Sequence, residues 1–159
     1  MAYPLVYRLT HSTGSVDLSV TAERFVLKTQ GTGLADRPRT VDIAIADLKY
    51  FCLTPTTRAQ TPSDAALIDA EFIFSFVVAG KSTKRRFFVA AADPAMRELV
   101  SALRELRPDA SLLELAPREA YRKVGVLSPQ QGARVVLAVI FGLPLVGLLV
   151  WLALQILAR

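Results

Sequence analysis

The chain has 159 residues, 52% of them hydrophobic, and 19 Lys and Arg against 14 Asp and Glu give a net charge of +5. Its single cysteine, Cys52, excludes an internal disulfide and a CxxC zinc framework. Its single histidine, His11, leaves His-based metal sites and His-dependent triads without their usual parts.

The first ninety residues read as strands. Leu5, Tyr7 and Leu9 alternate with Val6, Arg8 and Thr10, and His11-Ser12-Thr13-Gly14 makes a turn. Val16, Leu18 and Val20 then alternate with Asp17, Ser19 and Thr21. Phe25 to Thr29 is a third strand, followed by a loop of turn formers from Gly31 to Arg39. Val41, Ile43 and Ile45 alternate with Asp42 and Ala44, and Leu48 to Leu53 follows. Residues 54–68 form a long polar loop with two prolines, suited to a partner-specific insertion. Phe72, Phe74, Phe76 and Val78 share one face of a long strand, Ala79 to Ser82 turns it back, and Lys84 to Ala90 returns.

The period then changes from two to about 3.6. Asp93-Pro94 is an N-cap with proline at N1, and Met96, Leu99, Val100, Leu103 and Leu106 follow at helical spacing. Arg104 and Arg107 complement the dipole of the last turn, and Pro108 stops the helix. Residues 108–128 are expected to be a juxtamembrane linker. Ser128-Pro129-Gln130-Gln131 fits a capping box with Ser128 at the N-cap and Gln131 at N3.

From Val135 to Leu154 no residue is charged or strongly polar. At 1.5 Å rise such a run covers about 30 Å, the thickness of a bilayer's hydrocarbon core, so a single transmembrane helix is expected over about 135–157. Trp151 suits the headgroup boundary. Arg118, Arg122, Lys123 and Arg134 precede the run and only Arg159 follows it, so residues 1–134 are expected in the cytoplasm, in tail-anchored topology at the inner (cytoplasmic) membrane. Residues 71–134 hold eleven basic and seven acidic side chains, whereas residues 1–70 hold seven of each. The excess charge therefore lies in the half that leads into the membrane.

Seven short antiparallel strands followed by one amphipathic helix resemble the pleckstrin-homology (PH) superfold, especially bacterial PH-like and GRAM-like membrane proteins. The resemblance covers about residues 5–106 and rests on element order, the strands from Val41 to Leu53 and the helix Pro94 to Leu106. It implies a mainly β, PH-like seven-stranded antiparallel barrel closed by one C-terminal helix, over residues 1–107. Residues 129–159 would then carry the transmembrane helix. Two features depart from the family. The closing helix has no tryptophan, and the first hairpin turn, His11 to Ser15, lacks the Lys and Arg of phosphoinositide-binding members. The resemblance therefore does not carry over headgroup recognition, and it leaves open a protein-binding scaffold.

Chemistry-bearing patterns are sparse. Gly31-Thr32-Gly33 begins a G-x-G, but Asp36 stands where the third glycine belongs. Carboxylates are scattered singly, so neither catalysis nor a cofactor or metal is expected. Basic and acidic residues are interspersed without a recognition motif, so no nucleic-acid partner is expected. Lys81, Lys84, Arg85 and Arg86 form the densest basic cluster. With Arg118, Arg122 and Lys123 they are candidates for contact with anionic lipid or an acidic partner. Lys84 and Arg86 should share a face while Arg85 points the other way. In the apolar run, Ala138 and Gly142 make a small-xxx-small pair, and with Pro144 and Gly147 they are candidates for helix–helix packing.

These readings converge on a non-catalytic, tail-anchored accessory or scaffold protein whose PH-like domain docks on an integral membrane protein complex at the cytoplasmic surface. Two alternatives use the same residues: an anionic-lipid-binding membrane sensor, and an accessory single-span subunit of an energy-transducing or transport complex.

Overall fold

The alternation of apolar and polar side chains folds into seven antiparallel strands. They are β1 (Leu5–His11), β2 (Gly14–Val20), β3 (Arg24–Gly31), β4 (Arg39–Ala44), β5 (Leu48–Pro55), β6 (Ala70–Val78) and β7 (Lys81–Val89). The computed structural model describes residues 3–11, 14–31, 38–56, 69–128, 130–134, 136–140 and 144. Within it, Met1–Val124 form one compact unit and Gly125–Arg159 a second.

The strands divide into a four-stranded sheet in the order β1-β2-β3-β4 and a three-stranded sheet in the order β5-β6-β7. Register places Tyr7, Leu18, Leu27 and Val41 in one row across the first sheet. Phe51 and Phe74 pair in the second sheet, as do Leu53, Phe72 and Phe87. Because side chains alternate, these rows face one way and join a common core with Phe25 of β3. The Phe25 ring lies 5.0 Å from Phe74 and 6.5 Å from Phe72, centroid to centroid, and so couples the two sheets.

The expected closed barrel is not formed. Between β4 and β5 the chain makes a 3-10 turn, Ile45–Asp47, and the register slips between Leu48 and Tyr50. The carbonyls of Ile45 and Ala46 accept hydrogen bonds from the Arg107 guanidinium, at 2.8 and 2.6 Å. The outer edge of β5 is met instead by a later segment. Ser111 bridges Phe51 in parallel, and Leu112 donates its amide to the Phe51 carbonyl at 2.9 Å. Between β1 and β7 a side chain replaces a ladder, as the Ala90 amide donates to the Tyr7 hydroxyl at 2.8 Å.

α1 (Pro94–Leu106) follows as the spacing predicts, with the Asp93 carboxylate accepting from the Ala95 amide at 2.8 Å. Its buried stripe, Met96, Leu99 and Leu103, enters the core shared by both sheets. The segment expected to be a linker is ordered over most of its length. Pro108–Ala110 form a 3-10 turn, and α2 (Pro117–Val124) buries Ala120, Tyr121 and Val124 while packing against β5 and β6. Gly125, at φ 75°, ends α2 in the left-handed conformation that glycine adopts without a Cβ penalty.

In the second unit the expected capping box is present. The Ser128 amide donates to Gln131 Oε1 at 3.1 Å and the Gln131 amide donates to Ser128 Oγ at 3.3 Å. Residues 130–134 and 136–140 are helical. Among the described residues no helix is long and apolar enough to cross a membrane. Most of the apolar run, residues 135, 141–143 and 145–159, lies outside the described residues, and so does most of the 54–68 loop.

Phe74 is fully buried and touches Phe25, Phe72, Phe76 and Phe87. Phe74→Ala is expected to cost about 3–5 kcal/mol in urea unfolding, as for large-to-small changes in cores. Val6→Ala, at a side chain 44% exposed, should change stability by less than about 0.5 kcal/mol.

Candidate functional site

The outer face of the second sheet carries the unexpected polar chemistry. Alternation puts Thr54 and Glu71, Cys52 and Ile73, and Tyr50 and Ser75 on that face as cross-strand pairs. α2 lies against β5 and β6, and Cys52 and Ile73 are 1% and 0% exposed. Cys52 is thus buried, as its apolar surroundings predict, but outside the main core.

A hydrogen-bonded network links α2 to this face. Tyr121 donates its hydroxyl proton to Glu71 Oε2 at 2.7 Å. With that proton used, the Thr54 hydroxyl 3.1 Å away can meet the Tyr121 oxygen only as a donor, and the same proton has a second acceptor in the Glu71 backbone carbonyl at 3.4 Å. The other carboxylate oxygen of Glu71 stands 3.5 Å from Nε of Arg86. One buried carboxylate therefore ties the basic strand β7 to α2. Burial, and then the Glu71 hydrogen bond and charge, push the Tyr121 hydroxyl up to about 12, with the Thr54 hydrogen bond acting the other way. Burial, followed by the Glu71 charge, pushes the Cys52 thiol up to about 12. A thiol held protonated and covered in this way is a poor nucleophile at neutral pH.

The basic cluster is divided by the pleat. Lys84 and Arg86 pair with Ser75 and Ile73 on the outer face, whereas Arg85 pairs with core-facing Phe74. Lys81, Lys84 and Arg86 are exposed, and Arg85 is half-buried with its guanidinium donating to the Lys84 carbonyl at 2.8 Å. Arg86 is already engaged with Glu71, so reversing its charge would set a second carboxylate beside a buried one. Arg118, Arg122 and Lys123 lie on the exposed side of α2. Lys123 also lines a cleft of about 270 Å³ with Ser111, Leu112 and the ion pair of Arg104 and Glu114. Among the described residues no three His, Cys, Asp or Glu side chains gather as a metal site.

Ala138 and Pro144 fall on described helical residues, whereas Gly142 and Gly147 lie outside them, as do the His11 side chain, Ser12 and Thr13. Sequence reasoning missed Glu71, Thr54 and Tyr121. A usable signal existed for α2, since Pro117 and Gly125 bracket a short segment with proline at the start and glycine past the end.

The fold and site define a small two-sheet β domain with one covered outer face and a cationic strand beside it. No protein-family model matches the chain, and no curated protein matches it.

Undocking of α2 should expose Cys52. At pH 8, Tyr121→Ala is expected to raise the rate of Cys52 alkylation by about tenfold or more, the factor that a loss of ~1.4 kcal/mol in docking would give. Tyr121→Phe, which keeps the ring, should raise it less. Both groups hold their protons more tightly folded than unfolded, so their contribution to stability is complete below about pH 9. It is lost as the pH rises from the ordinary thiol and phenol values, 9.0 and 10.0, through about 12. Thermal melts of the double variant Cys52→Ala/Tyr121→Phe should therefore fall less steeply over this window than those of the parent.

Proposed function

We propose that the chain is a non-catalytic, membrane-attached docking protein, with a PH-like domain held at the cytoplasmic face of the inner membrane by a single span after Arg134. The observation that carries this reading is the charge-free run Val135–Leu154, which starts one and a half turns beyond a formed capping box. Three residues, 125–127, separate that box from the end of α2. Fully extended they reach about 11 Å, so the domain would work at the bilayer surface. A four-plus-three strand arrangement followed by a helix entering the core supports the PH-like reading. The scaffold role follows from the scattered carboxylates and the absence of a catalytic set in the sequence.

Within that reading, Ala138, Gly142, Pro144 and Gly147 give the span a surface for close helix packing against an integral membrane partner, which keeps the accessory-subunit alternative in play. The lipid-sensing alternative is favoured by one specific observation, the run of cations on β7.

Two measurements test the proposal. The full chain should stay with membranes after alkaline carbonate extraction, whereas a chain ending at Arg134 should be released. Release of the full chain would contradict attachment. If the span packs against a partner, Gly142→Leu should reduce recovery of that partner on detergent copurification by several-fold. Unchanged recovery would count against a packing role.

A further inference from the structure

The hairpin joining β6 and β7 departs from its own local optimum. Its two central residues, Ala79 and Gly80, both have positive φ, 49° and 74°. Two-residue turns of that kind favour Asn-Gly or Asp-Gly, because a side chain able to bond locally tolerates the left-handed region better than alanine does. Ala79 is exposed, so neither packing nor space calls for a methyl group there. The neighbouring Val78 is 50% exposed, and Val77 is half-buried. At this tip the chain thus presents apolar side chains where a polar residue would suit both turn geometry and water.

Cations line the strand that leaves the tip. β7 carries Lys81, Lys84, Arg85 and Arg86 with no acid between Lys81 and Val89. Val78 pairs with Lys81. Leu48 pairs with Phe76, which brings exposed Lys49, its Nζ 5.6 Å from the centre of the Tyr50 ring, and exposed Asp47 to the same end of the sheet. Exposed aliphatics rimmed by lysines match the headgroup layer of an anionic bilayer, where ammonium groups meet lipid phosphates and methyl groups sit below them. An acidic protein surface would match the lysines but give Val78 and Ala79 nothing to enter.

We propose that the β6–β7 tip is a wedge for anionic bilayers. Val78 and Ala79 enter the headgroup boundary, and Lys81, Lys84 and Lys49 hold the anionic lipids around them. This assignment rests on the membrane-attached reading above, and it makes the hairpin a second contact that responds to lipid charge.

The test uses the full chain with Cys52→Ala, reconstituted in nanodiscs of phosphatidylcholine alone or with about a third phosphatidylglycerol. An NBD fluorophore is attached in turn at Val78→Cys on the tip, Glu98→Cys on the exposed side of α1, and Val139→Cys in the apolar run. The tip probe is expected to shift to the blue in anionic discs and not in neutral ones, and to lose the shift with Lys81→Glu/Lys84→Glu. The α1 probe should not respond. Placed in the same background, Ala79→Asn should raise the melting temperature, by relieving the turn, while weakening the tip response, a pair of effects that a purely structural turn would not show. A tip probe that stays in water while the Val139→Cys probe is in lipid overturns the wedge, leaves attachment standing, and points to a protein partner for the hairpin. An equal tip shift in neutral discs overturns the anionic recognition. A Val139→Cys probe in water removes the attachment reading and the wedge with it.

Discussion

The Glu71 carboxylate is the interaction on which the arrangement of the domain turns. It sits on the outer face of a three-stranded sheet whose inner face is already committed to the core. That outer face also carries Cys52 and Ile73, which would be exposed apolar surface on an edge sheet. α2 covers them, and Tyr121, itself bonded by Thr54, satisfies the buried carboxylate together with Arg86. A buried charge left without such partners would cost several kcal/mol, so the cover and the carboxylate stabilise each other.

This cover sets where the folded domain ends. With α2 docked, the compact unit runs to Val124 rather than stopping near Leu106, and only a short stretch precedes the capping box at Ser128. The same carboxylate fixes Arg86, so β7 presents its remaining cations from a rigid strand rather than from a loop. The hairpin tip at the other end of that strand is placed by the same sheet. Structure at the outer face, domain boundary and candidate contact surface are thus consequences of one covered sheet.

Much of the first 107 residues is legible in the sequence because two physical periods are clean there. Leu5, Tyr7 and Leu9, and then Val16, Leu18 and Val20, recur at period two, and Met96, Leu99 and Leu103 at helical spacing, so strands, helix and most of the core follow. The Asp93 and Ser128 caps are legible for the same local reason: each bonds within three residues. What could not be read depends on contacts between distant residues. Thr54, Glu71 and Tyr121 are separated by up to 67 positions, and none carries a local pattern. The barrel closure failed as an expectation because Arg107, Ser111 and Tyr7 bind the groups that a continuous ladder would have used. α2 is only eight residues long, too short for a strong periodic signal, and its stability comes from packing rather than propensity.

Hydrogen exchange at α2, followed by mass spectrometry on the full chain in a bilayer mimic, tests most directly whether this helix is part of the domain. Its backbone bonds begin with the Glu119 and Ala120 amides donating to the Ala116 carbonyl. If α2 is integral, amides 119–124 should exchange together with those of β5 and β6, at rates set by opening of the sheet. Exchange of 119–124 at the rate of an unstructured peptide, with β5 and β6 still protected, would contradict it.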